Sequence, residues 1–389
     1  MANEQLCAAK TAKNDEFYTQ YSDIEAEMNA YVEYNKDVFR DKVILCPCDD
    51  PEWSNFTKYF ATRFETLGLK RLICTSYAKS AGNKQISDYE RKSPQFDETK
   101  HFECGKLFIL DKDMNGSGRI DKDDIQWDYL EGDGDFRSEE VTRLRDEADF
   151  IITNPPFSLF REFLAWIMDG EKKFIIIGNL NTVANKEIFP LFKENMMWMG
   201  ATCFKGGATY FAAPSELYDE NKMSNSKHAY WKNGIFYWRV NGVRWYTNVE
   251  HGIRHEELQL MSMGDNLKYN RSLVKTLKNK YGTSEYPYYE NYPALEVPSV
   301  YAIPDDYFGE MGVPVSFVDK YCPEQFEIIG IGIGELGKQL KITPIPKHID
   351  ESLPGHSSVW RLYIMNGEKA VVPYSRIIIK RKKENIEDV

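Results

Sequence analysis

Long apolar runs are missing from this chain, and so is a charged-then-apolar leader, so neither a membrane span nor a secretory signal is expected. Its cysteines (Cys7, Cys46, Cys48, Cys74, Cys104, Cys203 and Cys322) are odd in number, irregularly spaced and form no CxxC pair. That excludes a disulfide framework and points to a reducing, cytoplasmic setting. Cys46 and Cys48 fall in an apolar stretch with no histidine nearby, which speaks against a zinc site. His251 and His255 stand four residues apart but lack an HExxH frame, so two surface histidines are preferred over a metal centre. Basic charge is short as well: 49 Lys and Arg face 60 Asp and Glu, a net −11 at pH 7. Non-specific nucleic-acid binding by the whole surface is thereby excluded. A local basic groove is not, because phosphate contacts need only a patch.

Aromatic residues are not scarce, at 14%, so the chain is no disordered polymer, and 389 residues suffice for two domains, one with a large core. The most informative stretch runs from Ala148 to Phe160. Phe150 to Ile152 are apolar and β-prone and read as a short buried parallel strand. Asn154-Pro155-Pro156-Phe157 follows. Neither proline can donate to a sheet, and each drives the preceding residue into an extended form, so the chain leaves the sheet at Asn154 in a stiff loop. Phe160, Phe163, Leu164 and Ile167 then recur at helical spacing. A rigid loop at the carboxyl end of a parallel strand is where open α/β sheets bind ligands.

An amide side chain and a proline carbonyl both accept hydrogen bonds, and a phenyl ring stacks on flat partners. Together they suit the exocyclic amino group of a nucleobase. Two acceptors aimed at its hydrogens would draw that nitrogen towards a nucleophilic, tetrahedral state and stabilise the charge that develops on attack. The bland alternative is a chance turn, which the strand before and the amphipathic helix after make the weaker reading. Asn-Pro-Pro-Phe resembles the catalytic signature of amino-nitrogen methyltransferases that use S-adenosylmethionine, with Asn154, Pro155, Pro156 and Phe157 as the implied catalytic residues.

Other segments extend the resemblance. Glu16-Phe17-Tyr18-Thr19 precedes a helix with Ile24, Met28 and Tyr31 on one face, and looks like the motif that touches the methionine end of the cofactor. Lys42 to Cys46 reads as the first strand, followed by Pro47-Cys48-Asp49-Asp50 and a helix with Tyr59, Phe60 and Phe64. In the wider superfamily this loop is glycine-rich so that backbone can approach the cofactor. Here glycine is absent and the two aspartates offer carboxylates to ribose or ammonium. Arg71 to Thr75 reads as the second strand; Thr75-Ser76 stand where an acidic ribose ligand is usual. Gly134-Asp135-Phe136 resembles an adenine pocket, with Asp135 accepting from the adenine amino group and Phe136 lining the ring; a plain glycine turn is the alternative. Together these motifs resemble the EcoRI-type adenine-specific DNA methyltransferases over most of the chain. The resemblance implies Phe17, Tyr18, Thr19, Cys46, Pro47, Asp49, Asp50, Thr75, Ser76, Asp135, Phe136 and Asn154 as cofactor contacts.

Lys106–Leu110 and Ile125–Trp127 flank a polar segment whose start mimics a calcium loop, but Lys122 stands where a bidentate Glu is required; a hairpin with a polar tip explains it better. Lys173 to Gly178 is an apolar strand, with Asn179 and Asn181 at its carboxyl end. Trp198, Thr202 to Phe204 and Thr209 to Phe211 suggest further strands, and residues 234–248, with an Asn241-Gly242 turn, an antiparallel hairpin closing the sheet. Beyond Gly252 tyrosines and prolines crowd the chain. Lys268, Arg271, Lys275, Lys278 and Lys280 interleave with Tyr269 and Tyr281, a mixture suited to phosphate contacts and base stacking, although a solvated helix face explains any single lysine. Lys380 and Arg381 open a second basic run on a strand that reads as a DNA edge. Gly332-Ile333-Gly334-Glu335-Leu336-Gly337 fits a dinucleotide fingerprint, but prolines follow and too little chain remains for a βαβ unit, so a tight loop is expected.

The expectation is an α/β protein: a doubly wound, Rossmann-like class I methyltransferase sheet over residues 1–250 and an appended DNA target-recognition domain over 251–389. The implied reaction methylates the amino group of a flipped-out adenine in double-stranded DNA, and the resemblance leaves room for a cognate restriction endonuclease acting on the same site. The rivals are an amino-methyltransferase for RNA or a protein glutamine, and a non-catalytic DNA-binding module on the same fold.

Overall fold

The computed structural model describes residues 19–49, 54–78, 91, 93–203, 208–213, 229–232, 235–350 and 358–382. Two compact units divide the chain. One comprises Met1–Asn179 with Met199–His251, and the other Leu180–Trp198 with Gly252–Val389. The second unit thus takes in a stretch from within residues 1–250 besides the C-terminal region.

In the first unit, β1 (Val43–Pro47), β2 (Arg71–Ser76), β5 (Phe150–Thr153) and β6 (Lys173–Asn179) form a parallel core in the order β2-β1-β5-β6. β1 and β5 are buried at every position, as strands covered on both faces must be. β3 (Lys106–Leu110) and β4 (Gln126–Tyr129) extend this core antiparallel from β2, forming the expected hairpin. β11 (Val243–Thr247) pairs antiparallel with β6, and β7 (Trp198–Met199) completes eight strands in the order β4-β3-β2-β1-β5-β6-β11-β7.

Helices cover both faces. On one lie α1 (Tyr21–Tyr34) and α2 (Asn55–Thr62), whose Ile24, Met28, Tyr31, Phe56, Tyr59 and Phe60 pack with Ile44, Cys46, Leu72, Ile152 and Ile175. The other carries α3 (Glu139–Glu147) and α4 (Phe160–Asp169); Phe160 sits 5.0 Å from Tyr246, ring to ring, and Trp166 donates to the Thr142 hydroxyl at 3.1 Å. Gly178 lies under Phe160, where a Cβ would come within 2.5 Å of the ring.

Several expectations are corrected. Residues 235–248 do not form a hairpin: β10 (Ile235–Asn241) joins β8 (Ala208–Ala213) and β9 (Ala229–Lys232) in a separate three-stranded sheet, while β11 crosses to β6. The Asn241-Gly242 turn exists, with Gly242 at φ +74°, but it switches sheets, because β11 covers the otherwise unpaired edge of β6. Thr202 and Cys203 are not in a strand. His251 is no surface residue: it is 1% exposed, holds the Met199 carbonyl at 2.9 Å and meets the edge of Tyr31. In the polar tip between β3 and β4, Asp113 and Asp124 accept from the backbone N–H groups of residues 114–118, so the loop's own amides fill the carboxylates.

The second unit is built on a five-stranded sheet of β12 (Tyr288–Tyr289), β13 (Tyr292–Glu296), β14 (Glu310–Pro314), β15 (Phe326–Ile331) and β18 (Arg376–Arg381), in the order β12-β13-β14-β18-β15. β16 (Ile364–Asn366) and β17 (Lys369–Val371) form a small hairpin. The helical segment consists of α5 (Met263–Tyr269) and α6 (Arg271–Thr276), separated at Asn270, whose side chain caps α6 through Leu273 N–H at 3.0 Å. The glycine-rich decoy is not a loop: β15 runs into a short helix, α7 (Gly334–Gln339), and β15 is antiparallel to its neighbour β18, so no βαβ unit forms.

Candidate active site

The parallel register brings the carboxyl ends of β1, β2 and β5 level, with Pro47 opposite Thr75 and Leu45 opposite Ile151. Asn154 leaves β5 at that rim and is 8% exposed. Pro155 is buried and Pro156 half-buried; the Pro156 carbonyl accepts from Leu159 N–H at 3.0 Å, which starts the turn Phe157–Leu159 that leads into α4. The half-buried Phe157 ring lies 6.3 Å from that of Phe211 on β8.

The β1 loop turns without glycine. Cys48 adopts φ +100°, a strained conformation for a residue with a Cβ, costing roughly 1–3 kcal/mol. It is held because the N–H groups of Cys48 and Asp49 both donate to the Thr75 carbonyl, at 2.9 and 2.8 Å. The Asp49 carboxylate is 6% exposed and accepts from Ser54 Oγ at 2.5 Å and from Thr153 Oγ1 at 2.6 Å. Cys46 is fully buried; burial, with the Cys74 thiol beside it, pushes its thiol well above the usual range, so it stays protonated and offers no thiolate nucleophile.

Thr75 and Ser76 end β2, 1% and 6% exposed, and neither hydroxyl has a partner among the described residues. The same holds for Thr19, 2% exposed, whose carbonyl accepts from Asn55 Nδ2 at 2.7 Å. Gln20 beside it donates to the Tyr210 carbonyl on β8 at 2.7 Å. Buried hydroxyls without partners are costly unless a ligand meets them.

The Gly-Asp-Phe turn abuts β2. A Cβ at Gly134, where φ is +82°, would lie 2.4 Å from the Ser76 carbonyl oxygen, so only glycine permits this approach. Asp135 is held by Arg137, whose Nε and Nη2 donate at 2.9 and 2.6 Å. Phe136 is 4% exposed and wedged 5.0 Å from Phe163 and 5.6 Å from Trp166, against α4.

Thus Thr19, Cys46, Pro47, Asp49, Thr75, Ser76, Asp135, Phe136 and the Asn154 loop lie in the first unit, around the carboxyl rim or packed just behind it. Phe17, Tyr18 and Asp50 lie outside the described residues. Ser54 and Thr153 were missed. Ser54 carries a local signal, a serine one residue before a helix, and it does cap α2 through Phe56 and Thr57 N–H. Thr153 carries none beyond its place before Asn154.

In the second unit Lys268, Arg271, Lys275 and Lys278 are exposed along α5, α6 and the wide helical turn Leu277–Tyr281. Tyr269 is 61% exposed, but Tyr281 is buried and donates to Glu296 at 2.7 Å, so it presents no ring for stacking. β18 lies between β14 and β15, not at an edge; Lys380 is exposed with Glu310 and Glu327 across from it. Arg381 donates to the Asp305 carbonyl and stacks 5.1 Å from Phe308.

The family model described as adenine-specific methyltransferase EcoRI matches residues 5–382. The type II methyltransferase M.EcoRI of Escherichia coli is 39% identical over 384 residues, 98% of this chain and 97% of that protein. M.MpnI of Mycoplasma pneumoniae, also a type II methyltransferase, is 32% identical over 325 residues, covering 82% of this chain and 83% of the relative. M.MgeORF184P of Mycoplasma genitalium is 32% identical over 321 residues, 82% and 84% respectively. No solved structure matches.

Proposed function

The chain belongs to the EcoRI adenine-specific methyltransferase family, and from that membership we propose that it methylates the exocyclic amino nitrogen of an adenine flipped out of duplex DNA, using S-adenosylmethionine. Adenine-specific DNA methylation of the type II kind is its activity class. The four parallel strands with helices on both faces are read as a doubly wound, Rossmann-like class I sheet, whose carboxyl rim is the ligand side. The region 251–389, with its exposed Lys268, Arg271, Lys275 and Lys278, is read as the target-recognition part. A cognate restriction endonuclease would share its site. The odd number and irregular spacing of the cysteines are read as a cytoplasmic setting.

The residues at the rim fit the cofactor. The unmet hydroxyls of Thr75 and Ser76 suit ribose or adenine contacts, and that of Thr19 suits the methionine end. Asp135, held by Arg137, is read as the acceptor for the adenine amino group of the cofactor. When bound, S-adenosylmethionine supplies a methyl group activated by its sulfonium. The chain's own part is to place the target. Flipping the base costs a few kcal/mol. Phe157 then stacks on its ring, while the Asn154 amide oxygen and the Pro155 carbonyl accept its amino hydrogens. The nitrogen lone pair is drawn out of conjugation, and the positive charge that develops is stabilised by two fixed dipoles. Pro155 and Pro156 hold those acceptors in place before the substrate arrives.

The observation that carries this reading is the position of Asn154 at the end of β5, level with partnerless hydroxyls on β2. Replacing Asn154 with Ala is expected to lower S-adenosylmethionine affinity by no more than a few-fold in calorimetry and to slow methyl transfer to DNA by more than about a hundredfold. Unchanged turnover would remove Asn154 from the chemistry.

A further inference from the structure

Asp49 joins segments that are remote in sequence. Its backbone N–H is fixed to the end of β2 through the Thr75 carbonyl. One carboxylate oxygen takes the hydroxyl of Ser54, the residue that caps α2, at 2.5 Å; the other takes the hydroxyl of Thr153, at the end of β5, at 2.6 Å. Thr153 is fully buried, Ser54 is 1% exposed, and the Thr153 hydroxyl also lies 3.2 Å from the Pro47 carbonyl. The next residue after Thr153 is Asn154.

Burying a carboxylate carries a desolvation cost of several kcal/mol, and an apolar side chain would fill this space without it. What a carboxylate adds is direction: two acceptor oxygens in one plane fix two hydroxyls, and so two backbones, relative to each other. We propose that Asp49 and Thr153 are positioning residues of the methyl transfer, a carboxylate–hydroxyl tie that sets the β5 exit against the β1 and β2 ends and so holds the Asn154 acceptor at the distance the reaction requires. This rests on the reading of Asn154 given above. On it, Asp49 acts mainly through Thr153 and Ser54 and not as the ribose ligand its place in the β1 loop first suggests.

The test is Thr153→Val, which keeps the shape and removes the hydroxyl. S-adenosylmethionine affinity measured by calorimetry is expected to stay within about threefold of wild type. The single-turnover rate on DNA should fall by about ten- to a hundredfold, the scale of a misplacement near 1 Å. Thr153→Ser should restore the rate to within a few-fold. Asp49→Asn should lower the rate as well, and the double variant with Thr153→Val should be no slower than the slower single variant, because both break one tie. Thr153→Ala, read the same way, serves if the valine variant does not accumulate. A wild-type rate in Thr153→Val or Thr153→Ala overturns the proposal. So does a loss of cofactor affinity matching the loss of rate, which marks a structural role. Failure of the underlying reading looks different, since Asn154→Ala would then turn over normally whatever Thr153 does.

Discussion

In the second unit Glu296 is fully buried and both its oxygens are taken. Arg376 donates through Nε and Nη2, the latter at 2.8 Å, and Tyr281 and Tyr289 add their hydroxyls. At the rim of the large sheet, Thr19, Thr75 and Ser76 bury hydroxyls that no described residue meets. The first cluster spends its polar groups on one another and pins β13, β18 and the turn after α6 together. The second keeps them unspent, at about 1–3 kcal/mol for each orphaned group, a cost a fold carries where a ligand is to repay it. Burial alone therefore does not tell a structural polar group from a functional one; the state of its partners does.

The sharpest way to break that contrast is to strip each region in turn. Arg376→Met leaves Glu296 buried without its cation and should cost about 3–5 kcal/mol in urea denaturation, while the folded variant keeps its S-adenosylmethionine affinity. A wild-type denaturation midpoint would mean the cluster holds nothing together. Thr75→Val at the rim should do the reverse. Removing an orphaned hydroxyl leaves the apo protein as stable as before or more so, and weakens cofactor binding by about 1–3 kcal/mol, five- to 150-fold, by calorimetry. A variant that is destabilised yet binds normally would make Thr75 structural.

Glu27 is an intermediate case. It is fully buried in the first unit with no cation beside it among the described residues, and accepts from Tyr31 at 2.7 Å, the N–H groups of Ala201 and Thr202 at 2.8 and 2.7 Å, and the Thr202 hydroxyl at 2.5 Å. Burial raises its pKa above the usual 4.5, against the opposing pull of those donors. A carboxyl whose folded pKa is raised binds its proton more tightly in the folded state. Its contribution is fully present below the unfolded pKa and is lost as pH climbs through the folded one. The stability advantage of wild type over Glu27→Gln should therefore shrink as pH rises from about 4 to about 7. Denaturation midpoints of both proteins at the two pH values test the sign, and an advantage that grows with pH would refute it.

Where the chain spoke clearly, the signal was local and periodic. The apolar runs of β1, β5 and β6, the Ile24-Met28-Tyr31 face of α1 and the polar tip between β3 and β4 were legible because neighbouring residues decide them. Asn154 was legible because two prolines leave a strand little choice. What failed depended on partners far along the chain. Residues 235–248 pattern as a hairpin, but the edge of β6 outbids β10 for β11. His251 looked like a surface histidine because Met199 and Tyr31, which enclose it, are remote in sequence. The tie made by Asp49 is legible only in part: its link to Ser54 spans five residues and can be read from the helix start, whereas its link to Thr153 spans 104. Tyr281 sits in a basic run that suits base stacking, yet its hydroxyl belongs to Glu296.

The same distinction between spent and unspent groups applies to the basic residues, with the smallest expected effect. Lys275 is exposed on α6, whereas Lys380, also exposed, has Glu310 and Glu327 at the paired positions of β14 and β15. Two carboxylates at the paired positions make the surroundings of Lys380 acidic, which disfavours a phosphate there. Lys275→Ala should weaken DNA binding about equally for all sequences and lower the slope of log affinity against log salt by about 1, while Lys380→Ala should leave that slope unchanged. Fluorescence anisotropy over a salt series measures both. If Lys380→Ala lowers the slope as much as Lys275→Ala does, the glutamates across the strands do not keep phosphate away, and an exposed cation in this unit is available to DNA whatever lies beside it.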